Sequence, residues 1–456
     1  MSALALVVGL CSPIIHQESV SWIESLDYTT WNQTDNYEKN GFIIGFLYNL
    51  GKSEVSAPAD YSSERIASIA AKYRAIKAAD TSRVAWDEKL DNLIIILAET
   101  FYDPSLLTEY YSHTGGDVTP NLHAIFRDYP SGYMYSPEYG GGTANVEFEV
   151  QTGLTNYWAM TTPYVNLVPK LSTLISPAQL ATDYDFASTG IHSYDGTMYK
   201  RHLAYRTMGY GDFLDESDFT HIERESHSSV LNDRSIYLEI LDLLAESDGP
   251  QLISAITMQN HAPYLQPWYD TFNFRLYQRE GDWESIESNY QSLYYSDKYL
   301  AEFLSALDDL DERTTVLWFG DHAMGILDKY AQSDKKSERD LSHITPYFIY
   351  TNFDLKNPYT VSEVAKLNSD LGFKFPTKSV DLPTTSPNCL LNTTYNLLNI
   401  EKPTFFYLLD AVCTETPIFA HAYSGEEGYR ATSTLREYEL VNYDILYGNH
   451  YWDGLD

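Results

Sequence analysis

Three short stretches constrain the fold of this chain most strongly, because each has the pattern of a strand buried on both faces. They are NLIIILAET (92–100), LISAITMQNH (252–261) and TTVLWFGDH (314–322), and each ends in polar residues. A continuous apolar run of this length is typical of a central strand in a parallel sheet. Amphipathic stretches that read as helices, 235–246 and 296–310, precede the second and third strands. This alternation predicts an α/β fold with a mainly parallel, doubly wound sheet.

The rest of the chain divides around that sheet into three expected parts. Residues 1–85 combine an apolar start, a linker rich in Asn, Tyr, Gly and Ser, and a helix over 62–79 capped by Ser62 or Ser63. Residues 86–351 carry the strands, and residues 352–456 are expected to form a smaller C-terminal α+β subdomain. The apolar run ALALVVGLCSPII is shorter than the roughly 20 residues of a spanning helix. Both the end of a membrane helix and a buried helix therefore remain open for it.

Composition excludes some classes of function. The formal net charge is −34 over 456 residues, which argues against nucleic acid as a partner and against docking on anionic lipid through surface charge. An anionic substrate would need a local positive site. The three cysteines, Cys11, Cys389 and Cys413, lack the CxxC spacing of a thiolate metal site. The 39 tyrosines suit partly wet surfaces and grooves that face sugars or lipids, although many will simply pack.

The polar residues at the three strand ends indicate where a ligand would bind. Glu99 ends the first strand, Asn260 and His261 end the second, and Asp321 and His322 end the third. Because the carboxyl ends of parallel strands meet at one edge of a sheet, we expect these side chains to lie together. Oxygen ligands with one imidazole predict a site for one divalent cation, Mn²⁺ first and Mg²⁺ as the alternative. The competing interpretation makes Asp321 a helix cap and His322 a local hydrogen-bond partner.

The stretch GGGTANVEFE (140–149) places three glycines directly before Thr143. A threonine hydroxyl needs activation, for example by a metal, before it can act as a nucleophile. The glycines would let a metal and a phosphate approach closely, and a helix starting here would aim backbone N–H groups at an anion. The competing interpretation makes Thr143 an ordinary N-cap, with Glu147 or Glu149 in the first turns of the helix.

Other residues are candidates for positive charge and for proton transfer. Arg201 and Lys200 form a basic pair in an acidic chain, and Arg201 could hold a phosphate with its planar guanidinium. His261 is a candidate for general acid–base chemistry or for phosphate contact, and His192 is a further candidate. In the competing interpretation the basic pair is a solvated charge run and the histidines are structural.

These stretches, in this order, resemble the lipoteichoic acid synthase family of phosphoglycerol transferases and, more widely, the sulfatase and alkaline-phosphatase-like superfamily. The resemblance rests on NLIIILAETFYDPS, SPEYGGGTANVEFEVQTGL, HSYDGTMYKRHLAYRTMGYGDF, ISAITMQNHAPY and LWFGDHAMGIL, among others. It implies Thr143 as the nucleophile and His261 and Arg201 as contacts of the phosphoglycerol group. The metal ligands that it implies are Glu99, Thr143, Asp321 and His322.

The resemblance also leaves one feature of the site open. Where characterised relatives have a tryptophan and an asparagine before the arginine, this chain has Tyr199 and Lys200. The two residues keep their positions as expected substrate contacts. The preference for a headgroup or an acceptor does not follow from the resemblance.

The reaction implied by the resemblance has two steps. Thr143 takes phosphoglycerol from a phosphatidylglycerol-like lipid and releases diacylglycerol. A hydroxyl of a glycerol-phosphate polymer, a glycolipid or a glycan then receives the group, with His261 as the candidate proton shuttle. The implied location is the membrane surface on the extracellular face of a bacterial cell. Most of the family's membrane helices are missing from this chain, which would make it the extracellular part of a longer protein or a shortened chain.

Three alternatives to this function stay open. A two-metal phosphatase or phosphodiesterase would need extra ligands, for which Asp340 and His343 are available. A true sulfatase would need a C/S-x-P-x-R motif, and the nearest match, CSPII at Cys11, lacks the arginine. A non-catalytic surface protein would keep the fold without the chemistry.

Overall fold

The computed structural model describes residues 55–159, 161–264, 269–327, 341–375, 380–424, 428–430 and 432–453. Its strands are β1 (Asn92–Ala98), β2 (His113–Thr114), β3 (Ser131–Tyr135), β4 (Ala187–His192), β5 (Asp212–Leu214), β6 (Gln251–Ile256), β7 (Arg275–Leu276), β8 (Thr314–Gly320) and β9 (Ile344–Thr351). Its α-helices are α1 (Ser63–Ala79), α2 (Trp86–Lys89), α3 (Pro120–Asp128), α4 (Thr143–Thr152), α5 (Pro163–Asn166), α6 (Pro177–Thr182), α7 (Arg201–Thr207), α8 (Asp233–Glu246), α9 (Trp283–Leu307), α10 (Val361–Asp370), α11 (Pro387–Leu398), α12 (Thr404–Glu415), α13 (His421–Ser424) and α14 (Ser433–Leu446).

Seven strands form one sheet in the order β3-β9-β8-β1-β6-β4-β5. Neighbouring strands are parallel except at β9, which runs antiparallel to β8 and to β3. The three strands predicted from the sequence lie side by side at the centre, where Ile94 of β1 is paired with Ile253 of β6 and Val316 of β8. Every residue of β1, β6 and β8 is buried, as their continuous apolar pattern requires. The predicted α/β fold with a mainly parallel sheet is confirmed.

Helices cover both faces of this sheet, as expected for a doubly wound fold. Because successive side chains of a strand point to opposite faces, Ile95 packs into one core cluster and Ile94 into the other. The first cluster includes residues of α1, α4, α11, α12 and α14, and the second includes residues of α3, α8 and α9. The carboxyl edge of the central strands lies between these two layers.

The predicted helices are present, with shifted bounds. Helix α1 begins after Ser62, whose side chain accepts a hydrogen bond from the Arg65 N–H and is therefore the N-cap. Helix α9 begins well before the predicted start at residue 296. Its first half buries polar residues such as Asn289, which accepts a hydrogen bond from Tyr102 OH at 2.9 Å. An apolar periodicity does not reveal a helix whose buried face is polar and satisfied by tertiary hydrogen bonds.

Beyond β9 the described residues form helices α10 to α14. Their contacts of the β type are isolated bridges from Thr385 to Met134 and from Ile400 to Val84. The described residues of this region therefore form helices and two isolated β-bridges but no strand, so its expected α+β character depends on those two bridges alone. A disulfide that the sequence analysis did not foresee joins Cys389 of α11 to Cys413 of α12.

Helix α1 and the residue before its N-cap contact a helix near the other end of the chain. Lys72 Nζ lies 2.7 Å from Glu437 Oε2 of α14, and Tyr73 OH donates to the same carboxylate oxygen at 2.9 Å. Tyr61 OH donates to Asp444 Oδ1 at 2.5 Å. The first and last long helices of the described chain therefore belong to one core cluster.

The predicted apolar start and linker lie mostly within residues 1–54, outside the described residues. None of the helices that the structure describes combines the length and the apolar character needed to span a bilayer. The division of the chain at residues 85 and 351 stays a prediction.

Candidate metal and nucleophile site

The residues that follow β1 and β8 meet at the carboxyl edge of the sheet, because these two strands are parallel neighbours. Glu99, Asp321 and His322 are all buried, and one ligand atom from each lies within 4.8 Å of the other two. The structure thus brings together three of the residues that the sequence analysis assigned to a divalent cation.

Two atoms of this group lack the hydrogen bond that a buried polar atom normally has. Asp321 Oδ2 and His322 Nε2 are buried without a hydrogen-bond partner and lie 3.2 Å apart. His322 Nδ1 is 3.0 Å from the carbonyl oxygen of Ala323, to which it donates. This bond leaves the lone pair of Nε2 available to a metal. Asp321 Oδ2 and His322 Nε2 are thus two buried acceptor atoms that lie close together and receive no hydrogen bond. A divalent cation bound between them would supply the missing partner.

The competing interpretation of Asp321 as a helix cap is wrong. Its Oδ1 accepts from the N–H groups of Thr100 and His322, both at 2.7 Å. The described residues after Asp321, as far as Leu327, form no helix.

The close charges shift the pKa values of the three residues. Burial and the neighbouring Glu99 carboxylate raise the pKa of Asp321 to about 7. Burial also opposes ionisation of Glu99, but His261 and His322 outweigh it, so the pKa of Glu99 is lowered. Burial disfavours the charged form of His322, yet Asp321 and Glu99 raise its pKa. A cation bound here would relieve the repulsion between the two carboxylates.

Helix α4 places Thr143 beside this group. The N-cap of α4 is Gly142, in the left-handed conformation with φ 88°, and Thr143 is the first residue of the helix. The interpretation of Thr143 as an N-cap is therefore wrong. Its buried Oγ1 instead donates to Glu99 Oε2 at 3.0 Å. The N–H groups of the first helical turn lie at the same place and favour an anion.

The three glycines before α4 are required by backbone geometry and by packing. Gly140, Gly141 and Gly142 have φ values of 69°, 155° and 88°, which residues with a Cβ rarely adopt. A Cβ on Gly140 would lie 2.4 Å from Gly325 Cα, and one on Gly142 would lie 2.4 Å from Glu138 Oε2. A Cβ on Gly141 would meet no protein atom within 4 Å, so a ligand has room beside Gly141.

The predicted phosphate-binding arginine is buried and has two protein partners. Arg201 is 1% exposed, its Nε donates to Glu147 Oε2 at 2.9 Å, and its Nη1 donates to His192 Nε2 at 3.1 Å. His192 can accept because its Nδ1 faces the carbonyl oxygen of Ile256 at 3.4 Å. Burial and the Arg201 charge hold the pKa of His192 well below its usual value. Arg201 is thus a fixed guanidinium, and its interpretation as part of a solvated charge run is wrong.

Tyr199 and Lys200 differ in their relation to the site. Both have left-handed backbones, with φ of 55° and 58°, an arrangement that costs free energy and is common at functional sites. The Tyr199 ring lies 5.1 Å from the Arg201 guanidinium. Burial raises the pKa of Tyr199 to about 12, with Glu99 and other carboxylates acting in the same direction and Arg201 against it. Lys200 Nζ instead donates to the carbonyl oxygen of Val165 at 3.0 Å, which gives its predicted substrate role no support.

His261 lies at the rim of the site in the loop that follows β6. It is partly exposed, and Tyr264 of the same loop donates to Thr100 Oγ1 at 3.4 Å. Its Nδ1 is 2.5 Å from the carbonyl oxygen of Ala262, to which it donates, so Nε2 remains available for proton transfer.

The sequence analysis missed Thr100, which connects the two carboxylate ligands. The Thr100 N–H donates to Asp321 Oδ1 at 2.7 Å, and its Oγ1 donates to Glu99 Oε1 at 2.8 Å while accepting from Tyr264 OH at 3.4 Å. Its φ is 46°, which is unfavourable for a β-branched residue. A single threonine after a strand gives no sequence signal for this role.

His343, one of the two extra ligands available for a two-metal site, is not part of this three-residue group. His343 Nδ1 lies 2.9 Å from the carbonyl oxygen of Ser136, and its ring stacks on Tyr135 with centroids 5.2 Å apart. Asp340 lies outside the described residues. Within the part of the chain that the structure describes, the cluster around Asp321 is the one group of three ligands that could hold a metal.

The fold is that of the sulfatase and alkaline-phosphatase-like superfamily. The Sulfatase family model matches residues 91–388, and the chain belongs to that family. The matched range contains the whole central sheet and every predicted site residue.

Two curated proteins are similar to this chain in sequence. A Rhizobium meliloti protein whose name assigns it to cyclic beta-1,2-glucan modification is 28% identical over 370 residues, which cover 77% of this chain and 55% of the relative. The lipoteichoic acid synthase of Staphylococcus saprophyticus is 25% identical over 233 residues, covering 49% of this chain and 34% of the relative. The chain thus spans about half of the first relative and a third of the second. The expected resemblance to the lipoteichoic acid synthase family is confirmed.

Two solved structures share the fold. Streptococcus pyogenes phosphoglycerol transferase GacH, in complex with sn-glycerol-1-phosphate, aligns with a TM-score of 0.71 and 23% identity, covering 88% of this chain and 97% of GacH. A protein in the alkaline phosphatase superfamily from Vibrio parahaemolyticus aligns with a TM-score of 0.50 and 15% identity, covering 76% of this chain and 77% of the other.

Proposed function

We propose that this protein is a metal-dependent extracellular phosphoglycerol transferase. It moves glycerol phosphate from a phosphatidylglycerol-like lipid to a hydroxyl of a polymer, a glycolipid or a glycan. The observation that carries the proposal is the 3.0 Å hydrogen bond from Thr143 Oγ1 to Glu99, which fixes a hydroxyl beside the metal-ligand group. The names of GacH and of the lipoteichoic acid synthase support this class of reaction.

The first proposed step exchanges one phosphate ester for another. Thr143 Oγ1 forms a bond to phosphorus while the bond from phosphorus to the diacylglycerol oxygen breaks. The proton of Thr143 leaves towards Glu99 Oε2, which accepts its hydrogen bond. The leaving oxygen receives a proton from His261 and departs with diacylglycerol.

The second proposed step returns the protein to its starting state. An acceptor hydroxyl gives its proton to His261 and attacks the phosphorus held on Thr143. The bond from phosphorus to Oγ1 breaks, and Oγ1 regains the proton from Glu99. The acceptor leaves with the glycerol phosphate.

The residues around Thr143 are assigned to cation and phosphate binding. A divalent cation held by Glu99, Thr143, Asp321 and His322 would lower the pKa of the threonine hydroxyl and neutralise phosphate charge. Mn²⁺ is the proposed ion and Mg²⁺ the alternative, because three of the four ligands supply oxygen. Arg201 is assigned to the phosphate, since its Nη2 makes no hydrogen bond to a described residue.

The proposed location is the extracellular face of a bacterial membrane. The disulfide between Cys389 and Cys413 supports it, since disulfides persist mainly in oxidising compartments. A glycan acceptor is supported by the name of the Rhizobium meliloti relative.

Mass spectrometry after incubation with phosphatidylglycerol and Mn²⁺ tests this proposal. We expect a phosphoglycerol adduct on the peptide that contains Thr143, and no adduct in Thr143→Ala. The matched control is Thr152→Ser, at the other end of α4, which should keep the adduct. Thr143→Ala should stay folded but lose about 1.5–3 kcal/mol of stability, because its hydroxyl caps no helix but donates to the Glu99 carboxylate.

A different result would favour a hydrolase of the same superfamily. If the wild type and Thr143→Ala both release diacylglycerol at similar rates and neither forms an adduct, water rather than Thr143 attacks the phosphorus. That outcome contradicts the transferase proposal.

A further inference from the structure

Three elements of the fold meet at the guanidinium of Arg201. The arginine is the first residue of α7, Glu147 lies in α4, and His192 is the last residue of β4. Arg201 Nε donates to Glu147 Oε2 at 2.9 Å, and Nη1 donates to His192 Nε2 at 3.1 Å. Each of the three residues is at most 1% exposed. Side chains from two other elements therefore hold the guanidinium in one orientation.

One nitrogen of this guanidinium remains available to a ligand. Nη2 makes no hydrogen bond to a described residue. It is nevertheless not sealed off from solvent, unlike the buried side-chain atoms that lack a partner. A phosphate oxygen that contacts the guanidinium of Arg201 would therefore meet Nη2.

The hydrogen bonds of His192 define its protonation and leave neither ring nitrogen for a substrate. A guanidinium donates and never accepts, so Nε2 of His192 carries the lone pair and Nδ1 carries the hydrogen. Nδ1 lies 3.4 Å from the carbonyl oxygen of Ile256, the residue opposite His192 in the pairing of β4 with β6. One nitrogen of this buried ring thus faces the backbone of β6, and the other faces Arg201.

We propose that His192 is a positioning residue, which acts on the substrate only through Arg201. Together with Glu147 it fixes the rotation of the guanidinium, so that Nη2 is oriented before the phosphate binds. Fixing a flexible side chain in advance reduces the entropy that binding costs. This inference rests on the phosphate role proposed for Arg201, and it replaces the direct role for which His192 was a candidate.

Calorimetric titration of the full chain with sn-glycerol-1-phosphate in the presence of Mn²⁺ tests this role without requiring transfer. The asparagine of His192→Asn can still face the Ile256 carbonyl oxygen but is too short to reach Arg201. We expect the affinity to fall about tenfold, because one hydrogen bond to a charged group is lost. His192→Gln places a carbonyl oxygen close to the position of Nε2 and should stay within about threefold of the wild-type affinity.

A double-mutant cycle separates positioning from direct contact with the ligand. In an Arg201→Met background, His192→Asn should cause no further loss of affinity, because the residue through which His192 acts is already gone. The matched control is Ser193→Ala. Ser193 Oγ donates to the same Ile256 carbonyl oxygen at 3.3 Å and is equally buried, and its variant should bind like the wild type.

Three outcomes would overturn the inference. They are wild-type affinity in His192→Asn, a loss in His192→Gln as large as that in His192→Asn, and a loss from His192→Asn that persists in the Arg201→Met background. Each titration is accompanied by a melting curve, since His192 is buried. Glu147→Asp keeps the charge but draws the carboxylate away from Nε, and its expected tenfold loss decides the matter if His192→Asn fails to fold.

Failure of this inference can be told apart from failure of the proposed function. If Arg201→Met binds sn-glycerol-1-phosphate as tightly as the wild type, the phosphate role of Arg201 is wrong, and the positioning role falls with it. If Arg201→Met weakens binding and His192→Asn does not, the positioning role alone is wrong.

Discussion

Substitutions of Thr100 distinguish two effects of this residue. One is the effect of its hydroxyl, which orders the metal ligands, and the other is the effect of its strained backbone. Thr100→Val keeps the branched shape and the φ of 46° but loses the 2.8 Å hydrogen bond to Glu99. A hydrogen bond to a charged group is worth about 1.5–3 kcal/mol. Loss of a group that orients metal ligands typically lowers metal affinity about 10–100-fold. We expect Thr100→Val to show both effects.

Two further substitutions of Thr100 distinguish the causes. Thr100→Ser keeps the hydroxyl, so its Mn²⁺ affinity should stay close to that of the wild type. Thr100→Gly loses the hydroxyl but relieves the left-handed backbone, which is worth about 1–2 kcal/mol. Both the glycine and the valine variant should bind Mn²⁺ equally poorly, because both lack the hydroxyl.

The assay is calorimetric titration with Mn²⁺ together with melting curves of the metal-free proteins. The reasoning fails if Thr100→Val binds Mn²⁺ as tightly as Thr100→Ser. It also fails if Thr100→Gly regains the affinity of the wild type, because strain rather than the hydroxyl would then control the ligands.

Four other perturbations follow from the site and from the C-terminal helices. Because the pKa of Asp321 is raised to about 7, this carboxyl is protonated at lower pH and must lose its proton to bind a metal. His322, whose pKa is also raised, must lose its proton as well. Mn²⁺ affinity should therefore fall below pH 7 by up to about tenfold per pH unit for each of these two protons, and a pH-independent affinity in calorimetric titrations would contradict this assignment. Arg201→Lys keeps the charge but loses the planar guanidinium, so we expect donor turnover to fall at least about tenfold, and wild-type turnover would remove the phosphate role. In the wild type the side chains of Arg201 and Glu147 are 1% and 2% exposed. Glu147→Gln leaves the Arg201 charge buried and unpaired, so a denaturant titration should show a loss of about 3–5 kcal/mol in the free energy of unfolding. Replacing Cys389 and Cys413 by serine removes a link across 24 residues and should cost about 3.5 kcal/mol, and an unchanged melting temperature without reductant would show that the link does not stabilise the fold.

The central strands and the metal-ligand group could be predicted because their signals are local in the sequence. A continuous apolar run marks β1 and β8, and the residue that follows such a strand must lie at the edge of the sheet. The positions of Glu99 and Asp321 thus follow from two short patterns and one rule of topology.

The partners that fix the site could not be predicted, because they depend on contacts between distant residues. Glu147 lies 54 residues from Arg201 in sequence, and the ion pair exists only once α4 and α7 have packed. The glycines before α4 were expected to admit a ligand, and packing against Gly325 and Glu138 was not foreseen. The strained backbone of Thr100 is likewise a tertiary effect that no propensity of threonine indicates.

The contact between α1 and α14 has a consequence for the order in which the chain can fold. A ribosome releases α1 several hundred residues before α14, an interval of roughly 20–70 s at about 5–20 residues per second. During that time Ile66 and Ile69 of α1 lack the apolar side chains of α12 and α14 that belong to the same core cluster. The apolar side of α1 therefore stays exposed in the nascent chain until the last long helix has been synthesised. During that time α1 is a segment that a chaperone can protect.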